Sequence, residues 1–196
     1  MLLLGHGAGG GPQAADLALL ARRLPPLGVT VVRVEQPWRL AGRKVAVRPP
    51  LLDEAWLELT AGLDALTSET GLRVFGGGRS SGARVACRTA AVTGVAGVVC
   101  LAFPLHLPGQ PERSRVAELT APTVPRLVLQ GSRDTFGTVE EVRTAVLGAS
   151  GIRVVELPGA DHGFRLLKGS AFTPADLRER LVAEVAAFLT TGDPGE

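Results

Sequence analysis

Cysteine is nearly absent from this chain of 196 residues: Cys87 and Cys100 are the only two, and neither forms a Cys-x-x-Cys pair or stands at metal-ligand spacing. Each lies in an apolar stretch, where a free thiol behaves as a small hydrophobe, so both are expected in the core. With no clustered cysteine, histidine and acid, no metal site is expected either. Long hydrophobic runs are missing too. The longest, 95–105, is interrupted by Gly97 and Pro104 and falls far short of the roughly 20 residues a bilayer requires. The opening Met1-Leu2-Leu3-Leu4-Gly5-His6 has no basic segment and too short an apolar run for a secretory signal, so a cytoplasmic protein without a membrane partner is the expectation. Charge of one sign is scarce as well: 21 basic residues against 19 acidic leave a net charge of +2 with the signs interspersed. No stripe or tail is present that would track a phosphate backbone, and nucleic acid is not expected as a partner.

What the chain does have is enough length for one domain over 1–196, able to bury about 70 % of its unfolded surface without disulfides. Short β-branched runs alternate with longer helical patterns throughout. That alternation predicts an α/β fold, a three-layer, doubly wound, mostly parallel sheet of about six strands with helices on both faces. Strands are expected at 2–5, 29–35, 72–76, 95–103, 126–130 and 153–157, and helices at 12–24, 53–70, 81–93, 138–147 and 174–189. Pro12 and Pro174 suit first-turn positions, where a missing N–H does no harm. The basic, proline-ended stretch 38–50 and the Pro/Gly-rich stretch 104–111 read as loops.

The most informative run is Val74-Phe75-Gly76-Gly77-Gly78-Arg79-Ser80-Ser81-Gly82-Ala83, a strand pattern that ends in Gly-x-Ser-x-Gly and passes into a helix pattern. A serine can attack a carbonyl only if its Oγ stands clear of the sheet. That requires a cramped strand-to-helix turn, and Gly78 and Gly82 leave room for one. In a doubly wound sheet, function collects beyond the carboxyl ends of the strands. Three further features fall there: the glycine loop Gly5-His6-Gly7-Ala8-Gly9-Gly10-Gly11, the turn Gly131-Ser132-Arg133-Asp134, and Gly159-Ala160-Asp161-His162-Gly163. Ser80, Asp134 and His162 thus follow one another in the order serine, acid, histidine.

With that order and that glycine loop, the chain resembles an α/β hydrolase, nearest the small cap-free, dienelactone-hydrolase-like branch, over nearly its whole length. The resemblance implies a minimal fold without a lid. It implies Ser80 as nucleophile, His162 as general base and Asp134 as orienting carboxylate, with an oxyanion hole from the backbone N–H groups of Ser81 and of Ala8 or its neighbour. It also implies a serine hydrolase acting on a carboxylic ester or thioester of a small molecule, with no cofactor; the apolar composition permits a homodimer as well as a monomer. Two departures matter. The chain begins where the family's third strand would stand, so a leading hairpin is missing or lies upstream. Dienelactone hydrolases proper use cysteine where Ser80 stands, so their substrate does not transfer.

Other residues have plainer readings. Asp161 is a rival acid, but adjacent side chains on a chain seldom meet. His6 reads as a brace for the glycine loop, His106 as a residue bordering the pocket, and Arg79 as a solvated or salt-bridged arginine or one that meets an anionic substrate. Two readings from other classes compete. Gly5, Gly7 and Gly10, with Glu35 ending the next strand, match a dinucleotide-binding fingerprint. A binding protein that keeps the fold without turnover is the second.

Overall fold

The strands of the computed structural model are β1 (Leu2–Gly5), β2 (Val31–Val34), β3 (Phe75–Arg79), β4 (Val98–Leu101), β5 (Arg126–Gly131) and β6 (Ile152–Leu157). The helices are α1 (Ala15–Arg23), α2 (Pro37–Leu40), α3 (Pro49–Thr70), α4 (Ser81–Thr93), α5 (Val116–Thr120), α6 (Val139–Ala145) and α7 (Pro174–Thr191). Residues 1–192 are described, apart from the side chains at 64 and 65, so the end of the expected domain, 193–196, lies outside the described residues.

Strand order is β2-β1-β3-β4-β5-β6, and these six strands pair in parallel throughout, where a mostly parallel sheet was expected. Parallel neighbours need a crossover, and the helices supply it. Successive side chains on a strand point to opposite faces, and the cores divide accordingly. Leu2, Leu4, Val99, Leu101, Leu127 and Leu129 pack with Leu17 and Leu20 of α1 and with Leu181, Val185 and Phe188 of α7. Leu3, Val98, Cys100 and Val128 face the other way, against Trp56 of α3, Ala83, Ala86 and Cys87 of α4, and Val142 of α6. The result is three layers. Cys87 and Cys100 meet in the second core, Sγ to Sγ 3.6 Å, as free buried thiols. The hydrogen bond with Cys87, then burial, holds the Cys100 thiol well above its ordinary pKa, and it stays protonated.

Several boundaries move, each for a physical reason. β3 lies three residues later than the β-branched pattern suggests, because it runs through Gly76, Gly77 and Gly78, residues without strand propensity. Their smallness is what the sheet requires: a Cβ on Gly77 would stand 2.6 Å from the Val99 carbonyl oxygen. The 38–50 segment is not loop throughout, since α2 occupies its start and α3 begins at Pro49, a proline at the head of a helix. Pro174 likewise opens α7, whereas α1 begins only at Ala15, so Pro12 is not a first-turn residue. The short α5 had no sequence expectation. No helix among the described residues is long and apolar enough to cross a membrane.

The chain goes from β1 outward to β2, then crosses to the other side of β1 for β3 and continues in that direction. The carboxyl ends of β1 and β3 therefore flank a topological switch point, where a crevice opens between connections that leave in opposite directions. The glycine loop and Ser80 sit at those two ends.

Candidate active site

β3 ends at Arg79 and α4 begins at Ser81, so the reversal falls on Ser80 alone, at φ 51° and ψ −111°. Positive φ is strained for a residue with a Cβ and persists only where the surroundings fix it. The Ser80 N–H donates to the Leu101 carbonyl at 2.9 Å, and its own carbonyl accepts the Arg84 N–H at 3.2 Å, starting the helix. The turn drives the head of α4 into the end of β1. A Cβ on Gly82 would run into the Gly5 backbone, and one on Gly78 would reach 2.8 Å from the Gly82 carbonyl carbon.

His162 follows β6, three strand spacings or about 14 Å from β3. The connection from Pro158 to α7 is long enough to lead back across the sheet. It is fastened on the way: Gly159 N–H donates to Ser132 Oγ at 2.7 Å, and Arg133 N–H donates to the Ala160 carbonyl at 3.0 Å. At its far end His162 Nε2 lies 3.0 Å from Ser80 Oγ. Its Nδ1 lies 2.8 and 3.0 Å from the two carboxylate oxygens of Asp134, a residue with no exposed surface. The Asp134 carboxylate also accepts the Phe136 N–H at 2.8 Å and the Gln130 side-chain N–H at 3.0 Å. The Phe136 ring lies 4.2 Å from the imidazole and limits its rotation. An ionised carboxylate only accepts, so the imidazole proton sits on Nδ1 and Nε2 is left to accept the Ser80 O–H. The arrangement can take a proton from a serine and stabilise the imidazolium that results.

The remaining candidates separate cleanly. Asp161 turns its carboxylate onto the Gly163 and Arg165 N–H groups, at 2.7 and 2.9 Å, and so folds the loop that carries His162. His6 is fully buried; its Nδ1 donates to the Gly7 carbonyl at 2.9 Å and its Nε2 accepts the Gln36 N–H at 3.1 Å, which braces the glycine loop. Burial lowers the His6 pKa despite the Gly7 hydrogen bond, Arg39 lowers it further and Glu35 opposes, so the ring is neutral. His106 is buried, bonded through Nδ1 to the Leu107 carbonyl at 2.9 Å and 3.4 Å from Glu141, and is not among the residues that line the Ser80 pocket. Glu35 is engaged by Arg39 at 3.0 Å, and α1 begins well after the glycine loop, at Ala15. A dinucleotide fingerprint needs that loop to open directly into its helix and needs the acid free for a ribose. Among the described residues no group of three His, Cys, Asp or Glu could hold a metal ion.

Ser80, Ser81 and Ala8 line one pocket of about 250 Å³, walled by Ala46, Val47, Leu52, Pro104 and Leu107. The two segments read as loops thus supply its sides. A larger hollow of about 570 Å³ lies beside Leu19 of α1 and Leu177 of α7 but contains no serine, cysteine or histidine, so size alone does not choose the site.

The family model described as "Alpha/beta hydrolase domain" matches residues 1–190. The chain belongs to the α/β-hydrolase family. Solved α/β hydrolases superpose along nearly all of it. A dienelactone hydrolase from Anabaena variabilis does so at a TM-score of 0.73 and 20% identity, covering 96% of this chain and 85% of its own. An α/β serine hydrolase homologue from Coxiella burnetii gives 0.69 and 23%, covering 93% and 84%. An α/β serine hydrolase without lid from Xanthomonas campestris gives 0.67 and 18%, covering 97% and 80%. At such identities the likeness is one of fold. No protein of curated function matches.

Arg79 is salt-bridged, one of the readings its sequence allowed, but sequence reasoning did not find its partner or what the bridge ties together in this α/β hydrolase. Its Nη1 donates to Asp16 Oδ2 at 2.7 Å, its Nη2 donates to the His162 carbonyl, and its guanidinium lies 5.2 Å from the Phe164 ring. One side chain, adjacent to Ser80, thereby ties α1, the elbow and the His162 loop. Asp16 carried no sequence signal beyond being an acid in a first helical turn.

Proposed function

We propose that this protein is a serine hydrolase that cleaves a carboxylic ester or thioester of a small substrate through an acyl-enzyme on Ser80. The observation that carries the reading is the unbroken chain of hydrogen-bond distances Ser80 Oγ, His162 Nε2, His162 Nδ1, Asp134 carboxylate. In the first step Ser80 Oγ attacks the carbonyl carbon while its proton passes to His162 Nε2, and Asp134 stabilises the imidazolium without taking the proton. The carbonyl oxygen, now negative, accepts from the backbone N–H groups of Ser81 and Ala8, both on the pocket wall. Ser81 is the first residue of α4, so its N–H has no partner one turn earlier in the helix. The imidazolium then protonates the leaving alcohol or thiol. Water, deprotonated by the same Nε2, attacks the acyl-enzyme, and as the acid leaves the imidazolium returns its proton to Ser80 Oγ. These steps call for no cofactor.

The test is covalent. A fluorophosphonate should label the wild-type protein once, at Ser80, and Ser80→Ala should abolish both labelling and p-nitrophenyl ester turnover while leaving the circular dichroism spectrum unchanged. In a well-studied serine protease the loss is about 10⁶ in kcat. Substantial turnover by a folded Ser80→Ala protein would show the wrong nucleophile; an unlabelled, inactive wild type would point to a binding protein on the same fold.

A further inference from the structure

One wall of the Ser80 pocket is cationic: Arg84 and Arg88 from α4 and Arg115, which precedes α5. Two carboxylates answer these three guanidinium groups, and Arg84 and Arg88 occupy all four oxygens. Glu118 Oε1 accepts Arg84 Nη2 at 2.6 Å, and its Oε2 accepts Arg84 Nε and Arg88 Nη1, each at 2.8 Å. Asp53 accepts Arg88 Nη2 and Nε at 2.6 and 2.8 Å. The two paired arginines are largely buried, with 18% of each side chain exposed. Arg115 is left over. Among the described residues its guanidinium has one hydrogen-bond acceptor, the neutral carbonyl oxygen of Pro104 at 3.1 Å from Nη1. A guanidinium has five N–H donors and keeps its charge at neutral pH. Burial and the charge of Arg84 work against that charge, Glu118 offsets them in part, and Arg113 and Arg88 add to the repulsion. An incoming anion relieves the imbalance; a neutral ligand does not.

We propose that Arg115 is a specificity residue that binds a carboxylate carried by the ester substrate, beside the carbonyl that Ser80 attacks. The preferred substrates are half-esters of short dicarboxylic acids, or esters of short hydroxy acids, whose few carbons fit between Ala46, Val47 and Leu107 in about 250 Å³. Arg84 and Arg88 form the rigid backing of the subsite, and their acids prevent them from competing for the ligand. The planar fork of Arg115 suits a carboxylate, which can accept two parallel N–H bonds. This assignment rests on the proposed hydrolase activity, and the experiment separates the two.

Mono-p-nitrophenyl succinate and p-nitrophenyl butyrate differ in the charge at one end of an acyl chain of equal length. Acetylated 4-hydroxybenzoate and its amide place the same difference on the leaving group. All four are assayed with wild type, Arg115→Gln and Arg115→Lys. Arg115→Gln should lower kcat/KM for the anionic member of one pair by roughly 10- to 100-fold, mainly through KM, and leave the neutral members within about threefold. Arg115→Lys should keep most of the preference, and the pair affected tells which side carries the carboxylate. Equal loss on charged and neutral esters, or no loss on either, overturns the proposal while leaving the hydrolase reading in place. Binding of glutarate followed by calorimetry provides a readout without turnover: it should be seen with wild type and Ser80→Ala and be lost in Arg115→Gln. Inactivity of the wild type on every ester defeats the hydrolase reading and with it the ester specificity, and glutarate binding then decides the carboxylate subsite by itself. Failure of wild type to bind glutarate, or undiminished binding by Arg115→Gln, defeats the subsite.

Discussion

Replacing Asp134 by asparagine changes one oxygen into an NH₂ group, and the contacts around that carboxylate fix the consequences. Both oxygens are already acceptors. One takes the Phe136 N–H at 2.8 Å, the other takes the Gln130 side-chain N–H at 3.0 Å, and His162 Nδ1 lies within 3.0 Å of both. Whichever way the amide is turned, its NH₂ faces a donor, in a site with no exposed surface. Setting a buried donor against a donor costs about 1–3 kcal/mol of stability. The catalytic effect is larger. The NH₂ can be satisfied by His162 only if Nδ1 becomes the acceptor, which moves the imidazole proton to Nε2 and leaves nothing to accept the Ser80 O–H. In the serine protease template this tautomer change costs about 10⁴ in kcat, equivalent to roughly 5.4 kcal/mol of barrier. Asp161→Asn is the matched control, because an amide oxygen still accepts the Gly163 and Arg165 N–H groups. It should cost at most about tenfold. The assay is initial-rate hydrolysis of one p-nitrophenyl ester at one pH by both variants, with urea melts to verify folding. Greater damage from Asp161→Asn, or a folded Asp134→Asn protein within a factor of about ten of wild type, would show that Asp134 does not orient His162.

Arg79→Met should reduce kcat by roughly 100-fold with little change in KM, because the His162 loop loses its anchor beside Ser80, and should destabilise by about 3 kcal/mol by stranding the buried Asp16 carboxylate. Adding Asp16→Asn should restore much of the stability but not kcat; recovery of both together would make the pair a stability element only. His6 should make the fold acid-sensitive. Burial lowers its pKa in the native state, against the Gly7 hydrogen bond, so its contribution is fully present above the unfolded value of about 6.5 and is lost as pH falls through the lower folded value. Urea unfolding from about pH 8 to pH 5 should therefore show a flatter pH dependence for His6→Gln than for wild type, the other two histidines being common to both; parallel curves would contradict a buried neutral His6.

Features that depend on short stretches of chain were legible in the order of residues. Short apolar runs set between helical patterns, such as Leu2-Leu3-Leu4 and Val98-Val99-Cys100-Leu101, marked the strands, because a sheet covered on both faces buries every side chain of a strand. The Gly-x-Ser-x-Gly run marked the reversal at Ser80, because only glycine tolerates the closeness of α4 and β1. Local patterns failed where an isolated segment gives no signal: Gly76 to Gly78 form a strand because two neighbouring strands hydrogen-bond them, and α3 starts at Pro49 inside what reads as loop. Contacts between distant segments have no signature in any one stretch of chain. The pairing of His162 with Ser80, 82 positions apart and following strands three spacings apart, was legible only through the family resemblance, and that of Arg79 with Asp16, 63 positions apart, came from the folded arrangement alone. That Arg115 lacks an acid while Arg84 and Arg88 have theirs reflects the placing of α3, α4 and α5 around one pocket. Composition counts charges along a chain, but pairing depends on which of them the strand order brings within about 3 Å of one another.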